Sequence, residues 1–110
     1  MDQPQTPPDR CTSLDEIRAG MDALDRQIVS LIASRVDYVR AAAKFKTSSA
    51  NVAAPDRVAA VLKTRRDWAE AKGLSGDIVE SLYRDLVAYC VSEEHKQWQT
   101  DHASAGRESA

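Results

Sequence analysis

Two cations, Arg35 and Lys46, stand out chemically because they lie on a segment that otherwise has the pattern of an amphipathic helix. Apolar residues recur there at intervals of three and four, as expected for one buried helical face. Arg35 takes the place of the next apolar residue. Because an unpaired guanidinium is costly to bury, its position indicates an anion opposite it. The apolar row, called the seam below, comprises Leu14, Ile17, Met21, Leu24, Ile28 and Leu31, and it continues through Tyr38, Ala42 and Phe45.

The spacing of these cations favours a small dianion as their ligand. On an ideal helix Arg35 and Lys46 differ by about 20° around the axis and by about 16 Å along it, a gap that two long side chains can close. Arg18 lies about 25 Å from Arg35, so it is expected to reach such a pocket from an antiparallel partner. Arg57 begins a later helix, where a cation is unfavourable unless it faces an anion. The alternative is that these are ordinary solvated or ion-paired charges.

A carboxyl group continues another apolar row. Glu94 follows Cys90 by one helical turn on the third predicted helix, after Tyr83, Leu86 and Val87. Burial disfavours the ionised form of a carboxyl group, so the pattern predicts a neutral Glu94 that can donate a hydrogen bond. The alternative is that the helix leaves the core there, because its next neighbours are charged or polar.

Other kinds of site find little support in the sequence. His95 and His102 have no acidic or thiol ligands at metal spacing, and no glycine-rich phosphate loop occurs, so we expect no metal or cofactor. Cys90 has no His/Asn partner set and is interpreted as a core residue. Trp68 and Trp98 are expected to pack or to lie at an interface. A pocket of cations with one neutral carboxyl suits a small dicarboxylate and a reaction helped by orientation and electrostatics.

The elements that must position these residues are predicted to be helices only. A capping box at Ser13 and Glu16 starts a first helix that we expect to reach about residue 47. A loop over 47–54, a second helix from Pro55 to Gly73 and a third from Ser75 to near Trp98 should follow. We expect a flexible arm over 1–12, one domain over 13–99 and a disordered tail over 100–110. A first helix of about 50 Å exceeds the diameter of about 34 Å of a compact monomer, which favours an intertwined homodimer.

Composition narrows the class of protein further. The net charge of −2 lacks the basic stripe that nucleic-acid binding requires. The first residues carry no signal peptide, and no apolar run is long enough to span a membrane. Cys11 and Cys90 lack any paired spacing, so we expect free thiols and a cytoplasmic protein.

The stretches SLDEIRAGMDALDRQIVSLIASR, YVRAAAKFK and APDRVAAVL together resemble the small all-helical chorismate mutase family. The resemblance covers about residues 11–98 and is strongest to the branch of isochorismate pyruvate lyase, which serves salicylate and siderophore synthesis. It implies an intertwined helical dimer with two shared active sites. It also implies a pericyclic reaction, in which isochorismate gives salicylate and pyruvate and chorismate gives prephenate in the same pocket.

The resemblance assigns roles by position. Arg35 would hold a substrate carboxylate, and Lys46 would contact a carboxylate and the ether oxygen. Arg18 would enter the site of the other protomer, and Arg57 would lie near the site. The family glutamine that donates to the ether oxygen falls at Glu94, which needs a proton to do so. We therefore expect activity to rise as pH falls from neutral toward about 5.

Val58 is the second departure from the family pattern. Dedicated chorismate mutases commonly have Glu directly after the arginine of the second helix, where it binds the ring hydroxyl. Val58 cannot accept that hydrogen bond, so it favours isochorismate, and we include Val58 and Cys90 among the expected substrate contacts. The loop TSSANVAAP also resembles the lyase branch, and its closure would exclude water. The alternatives are a dedicated chorismate mutase or a non-catalytic helical dimerisation module.

Overall fold

The chain is all-α, as the sequence predicts. The computed structural model describes residues 5–109 and the side chains of residues 5–103. Within that range it has no strand and consists of three long helices and one short one, with a 3-10 turn at Pro8–Arg10 before the first helix and another at Ala43–Phe45 after it. The helices are α1 (Leu14–Ala42), α2 (Ser49–Ala53), α3 (Pro55–Ala71) and α4 (Gly76–Ser109).

The predicted helix starts are confirmed by their caps. The Ser13 hydroxyl accepts a hydrogen bond from the Glu16 main-chain N–H at 3.1 Å, and the Ser75 hydroxyl accepts one from the Ile78 N–H at 3.2 Å. The Glu16 carboxylate accepts a bond from the Thr12 hydroxyl at 2.8 Å. The two serine hydroxyls satisfy N–H groups that have no partner within the first turn of a helix.

The predicted end of α3 is confirmed, but the predicted end of α1 is wrong. Gly73, with φ of 77°, lies in the left-handed region just after α3, as predicted. The first helix ends at Ala42, not near residue 47, and its last turn tightens into the 3-10 turn Ala43–Phe45. Lys46 then has extended backbone.

The loop predicted over 47–54 is wrong, because α2 lies within it. The Ser48 hydroxyl accepts a hydrogen bond from the Asn51 N–H at 3.2 Å, and Val52 is buried with 2% exposed. A local cap and one buried side chain thus stabilise a five-residue helix that has no apolar periodicity. Ala54 ends it with φ of 40°, and Pro55 then begins α3.

The third predicted helix runs further than expected. Its end near Trp98 is too early, since α4 continues to Ser109. Two hydrogen bonds that each span one helical turn lie in this extension. The Gln97 amide donates to the Asp101 carboxylate at 2.9 Å, and the Thr100 hydroxyl donates to the Lys96 carbonyl at 3.0 Å. Residues 1–4 of the expected arm and residue 110 of the expected tail lie outside the described residues.

The chain forms two compact units, one ending at Arg35 and the other beginning at Val36. In the second unit α4 packs against α3, α2 and the 3-10 turn at Ala43–Phe45. The buried apolar residues of this unit are Val36, Ala43, Val52, Val61, Leu62, Ala69, Val87 and Cys90.

The first unit leaves most of the seam in contact with solvent. Within the single chain Ile17 is half-buried, and the other seam residues of this unit have exposed fractions from 52% at Met21 and Ile28 to 68% at Leu31. One chain alone therefore does not cover this row, and the partner chain expected to cover it stays a prediction. None of the helices in the described residues is long and apolar enough to cross a membrane.

Candidate active site

Lys46 and Glu94 meet in the second unit. The Lys46 Nζ lies 3.1 Å from Glu94 Oε2, so the ammonium donates a hydrogen bond within an ion pair. Glu94 is buried with 7% exposed, which shows that α4 has not left the core at this position. Two residues that the sequence singled out on separate helices are thus brought into direct contact.

The position of Lys46 is fixed by its main chain as well as its side chain. Its N–H donates to the Ala43 carbonyl at 3.1 Å and closes the 3-10 turn. Its carbonyl accepts a hydrogen bond from the indole N–H of Trp98 at 3.0 Å, and its ammonium also donates to the Asn51 carbonyl of α2 at 3.1 Å. The helical angle between Arg35 and Lys46 used above does not apply, because the α-helix ends at Ala42.

A second ion pair lies beside the first. Arg40 near the end of α1 donates to Glu93 Oε1 of α4 at 2.9 Å. This hydrogen bond is the main cause that holds the pKa of Glu93 below its ordinary value, and the charge of Lys96 acts in the same direction. Glu93 and Glu94, which are consecutive on α4, therefore pair with one cation on each side of the 3-10 turn: Glu93 with Arg40 before it and Glu94 with Lys46 after it.

The remaining predicted site residues differ in exposure. Arg18 and Arg57 are exposed, and Arg35 and Val58 are half-buried. Cys90 is buried with 3% exposed, one turn before Glu94, which agrees with its interpretation as a core residue. The substrate contacts expected of these five residues stay predictions.

Sequence reasoning missed two partners of Lys46. Asn51 was hidden in the segment expected to be a loop, and its contribution is a main-chain carbonyl that no side-chain pattern reveals. Trp98 carried a usable signal, since it follows Glu94 by four residues and therefore shares its face of α4. Its indole N–H is a donor that a partly buried tryptophan normally pairs.

The arrangement places a cation in direct contact with a buried carboxyl group. The described residues contain no group of three or more His, Cys, Asp or Glu side chains that could hold a metal ion. Lys46 can donate to a carboxylate or to an oxygen on which charge develops, and a protonated Glu94 can donate to the same oxygen. Such groups suit electrostatic stabilisation of a rearranging substrate.

Comparison with known proteins places these residues in a family. Residues 17–95 match the family described as chorismate mutase type II. The chain is 41% identical over 98 residues to isochorismate pyruvate lyase of Pseudomonas aeruginosa, covering 89% of this chain and 97% of that protein. It is 32% identical over 85 residues to the T-protein of Haemophilus influenzae and 28% identical over 83 residues to that of Enterobacter agglomerans. These matches cover 76% and 74% of this chain but 22% of either T-protein. The resemblance inferred from the sequence is confirmed, and the chain belongs to the chorismate mutase type II family.

Proposed function

We propose that this protein is an isochorismate pyruvate lyase that also has chorismate mutase activity in the same pocket. The observation that carries the proposal is the 3.1 Å contact between Lys46 Nζ and the buried Glu94 carboxyl. The similarity to a lyase over almost the full length of both chains supports the choice of isochorismate. The match to the chorismate mutase type II family supports the second activity.

The proposed lyase step is a concerted rearrangement within the substrate. The ether C–O bond breaks while a ring hydrogen passes to the methylene carbon of the enolpyruvyl group, which gives pyruvate and aromatic salicylate. With chorismate, the same C–O bond breaks while a C–C bond forms, which gives prephenate. The protein neither gains nor loses atoms, so its part is to hold the reactive conformer and to stabilise charge on the ether oxygen.

Each site residue has one proposed role in this step. Lys46 and Glu94 donate to the ether oxygen, and Arg35 binds a substrate carboxylate. Arg57 contacts the substrate near the start of α3, and Arg18 comes from the other protomer. Val58 and Cys90 supply apolar contacts, and Val58 favours isochorismate because it cannot accept a hydrogen bond from the hydroxyl of chorismate.

A homodimer is the proposed assembly. The seam residues of α1 are more than half exposed except Ile17 and Ala42, and α4 exposes a second apolar row at Ile78, Leu82 and Tyr89. Two rows of this kind on one chain are complementary surfaces for a second copy. The thiols of Cys11 and Cys90, which form no disulfide, suit a reducing compartment such as the cytoplasm for this assembly.

Supplying the purified protein with isochorismate and with chorismate in separate reactions tests the proposal. We expect salicylate fluorescence from the first reaction and loss of chorismate absorbance from the second. Lys46→Ala should lower kcat/KM for both substrates by at least about a hundredfold, the usual cost of losing one such donor. The matched control is Lys63→Ala, because Lys63 is an exposed lysine of α3 paired with Asp67.

The same assay separates the other functions. A dedicated chorismate mutase would consume chorismate and make no salicylate. A non-catalytic dimerisation module would turn over neither substrate. Turnover that Arg35→Ala leaves unchanged would contradict the proposed site.

A further inference from the structure

Two residues of α4 that are one turn apart hold Lys46 in different ways. Glu94 accepts a hydrogen bond from the Lys46 ammonium at 3.1 Å, and Trp98 donates one to the Lys46 main-chain carbonyl at 3.0 Å. Residues four positions apart lie on the same face of a helix. One face of α4 therefore fixes both ends of Lys46, its charged tip and its backbone.

The carbonyl of Lys46 needs this donor for a structural reason. Lys46 has φ of −96° and ψ of 136°, so it has left the helical conformation and its carbonyl lacks a helical partner. The indole of Trp98 is itself held in place. The ring centroids of His102 and Trp98 are 4.0 Å apart, and those of His95 and Trp98 are 6.0 Å apart in an edge-to-face arrangement. His102 Nδ1 is also 2.8 Å from the Trp98 carbonyl.

We infer that Trp98 is a positioning residue, which fixes the backbone of Lys46 so that its ammonium stands where charge develops on the substrate. The inference rests on the proposed function, because that proposal makes Lys46 catalytic. A lysine side chain has four rotatable bonds, so its tip is only as well placed as the backbone that carries it. Supporting residues that hold a reactive group in place are needed for electrostatic catalysis to be efficient.

Loss of the hydrogen bond from Trp98 should lower kcat more than it changes KM. Without the indole N–H, the Lys46 carbonyl turns to water and the segment from Lys46 to α2 can shift. A small misplacement of a reactive group raises the barrier of the chemical step more than it weakens binding of the substrate. The pair Lys46–Glu94 then forms in a smaller fraction of the molecules.

Trp98→Phe tests the inference, because phenylalanine keeps an aromatic ring but has no donor. We expect kcat to fall on the order of tenfold, with KM changed less than about threefold. Trp68→Phe is the control, since Trp68 is 58% exposed on α3 and stacks on Arg65 at 4.4 Å. That control should keep the kcat and KM of the unchanged protein.

A double-mutant cycle separates positioning from general damage to the fold. In a Lys46→Ala background, assayed at high enzyme concentration, Trp98→Phe should have no further effect, because Trp98 acts only through Lys46. If it lowers the residual activity by the same factor as in the unchanged protein, the inference is wrong.

Hydrogen exchange provides a readout that does not depend on activity. Trp98→Phe should speed exchange of the main-chain amides of Lys46, Val52 and Ala54, while amides in the middle of α3 keep their rates. Unchanged exchange at these three amides together with an unchanged kcat would overturn the inference. If the unchanged protein converts neither substrate, the proposed function fails, and the exchange rates alone decide whether Trp98 fixes Lys46.

Discussion

The proposed catalytic role requires the Lys46 and Glu94 side chains to change partners when a substrate binds. Glu94 accepts a hydrogen bond from the Lys46 ammonium at 3.1 Å. An ether oxygen placed between them is an acceptor for both, so Glu94 must then carry a proton in order to donate. Protonation of this carboxyl group is therefore part of the proposed catalytic state, in contrast to an amide at the same position.

Glu94→Gln provides the first test at the scale of single residues. An amide donates without needing a proton, so we expect the variant to be at least as active as the unchanged protein near pH 7. The unchanged protein should become more active as pH falls from neutral toward about 5, and the variant should show a flatter profile. The measurement is the initial rate of salicylate formation across that range.

The same pH profile for the unchanged protein and for Glu94→Gln would contradict this role of Glu94. Equal, flat profiles for the unchanged protein and the variant, with no gain from glutamine at neutral pH, would show that a proton on Glu94 is not used. Glu93→Gln is the control for the change in charge, since Glu93 lies next to it on α4 but is bonded to Arg40.

How far the sequence predicts the site depends on the kind of group involved. Arg35 and Glu94 stood out because charged side chains interrupted apolar rows, a signal that side-chain types alone carry. The contacts of Lys46 with Asn51 and Trp98 did not stand out, because both involve main-chain carbonyls. Every residue has such a carbonyl, so only the fold shows which of them matter.

At the scale of elements, the ion pair of Arg40 and Glu93 ties the end of α1 to α4. The Arg40 hydrogen bond lowers the pKa of Glu93 from its ordinary value of 4.5, despite the opposing effect of desolvation. A carboxyl group with a lowered pKa in the folded state stabilises that state at pH values above 4.5. This contribution is lost as pH falls below 4.5 and through the lowered pKa.

Glu93→Gln should therefore reduce stability in a pH-dependent way. We expect a lower free energy of unfolding than that of the unchanged protein at pH 7, and a difference that shrinks to nothing in acid. Urea unfolding followed by circular dichroism between pH 3 and 7 measures it. In an Arg40→Ala background the difference should be much smaller, and an undiminished difference there would assign the effect to another partner.

The elements themselves were predictable where a local signal marks their ends. Ser13, Pro55, Gly73 and Ser75 each act on the backbone within one turn, and the structure has the helix boundaries that they indicate. The helix α2 has a local cap at Ser48 but no apolar periodicity, so it was missed; it also depends on burial of Val52, which is decided by packing against other parts of the chain.

At the scale of the whole molecule, the proposed dimer makes each site depend on two chains. If Arg18 of one protomer serves the site that contains Lys46 of the other, Arg18→Ala and Lys46→Ala impair the same site from different chains. A heterodimer of these two variants contains one intact site and one doubly altered site.

Mixing the two inactive variants should thus restore activity. After denaturation and refolding together, half of the dimers are mixed, so about a quarter of the activity of the unchanged protein should return. Mixing Arg35→Ala with Lys46→Ala is the control, because both residues would come from one chain and no intact site can form. Equal activity in the two mixtures would contradict the shared site.

If the proposed dimer covers the exposed seam of α1, the seam also determines how this protein behaves on dilution. Leu14, Leu24 and Leu31 are each more than half exposed in the single chain, so a separated chain gives up the free energy that covering them provides. Folding and association are then one equilibrium, and the midpoint of thermal unfolding rises with protein concentration. In a dilute assay the rate per chain should decline over time, and a cell that makes little of this protein should lose more of it to proteases.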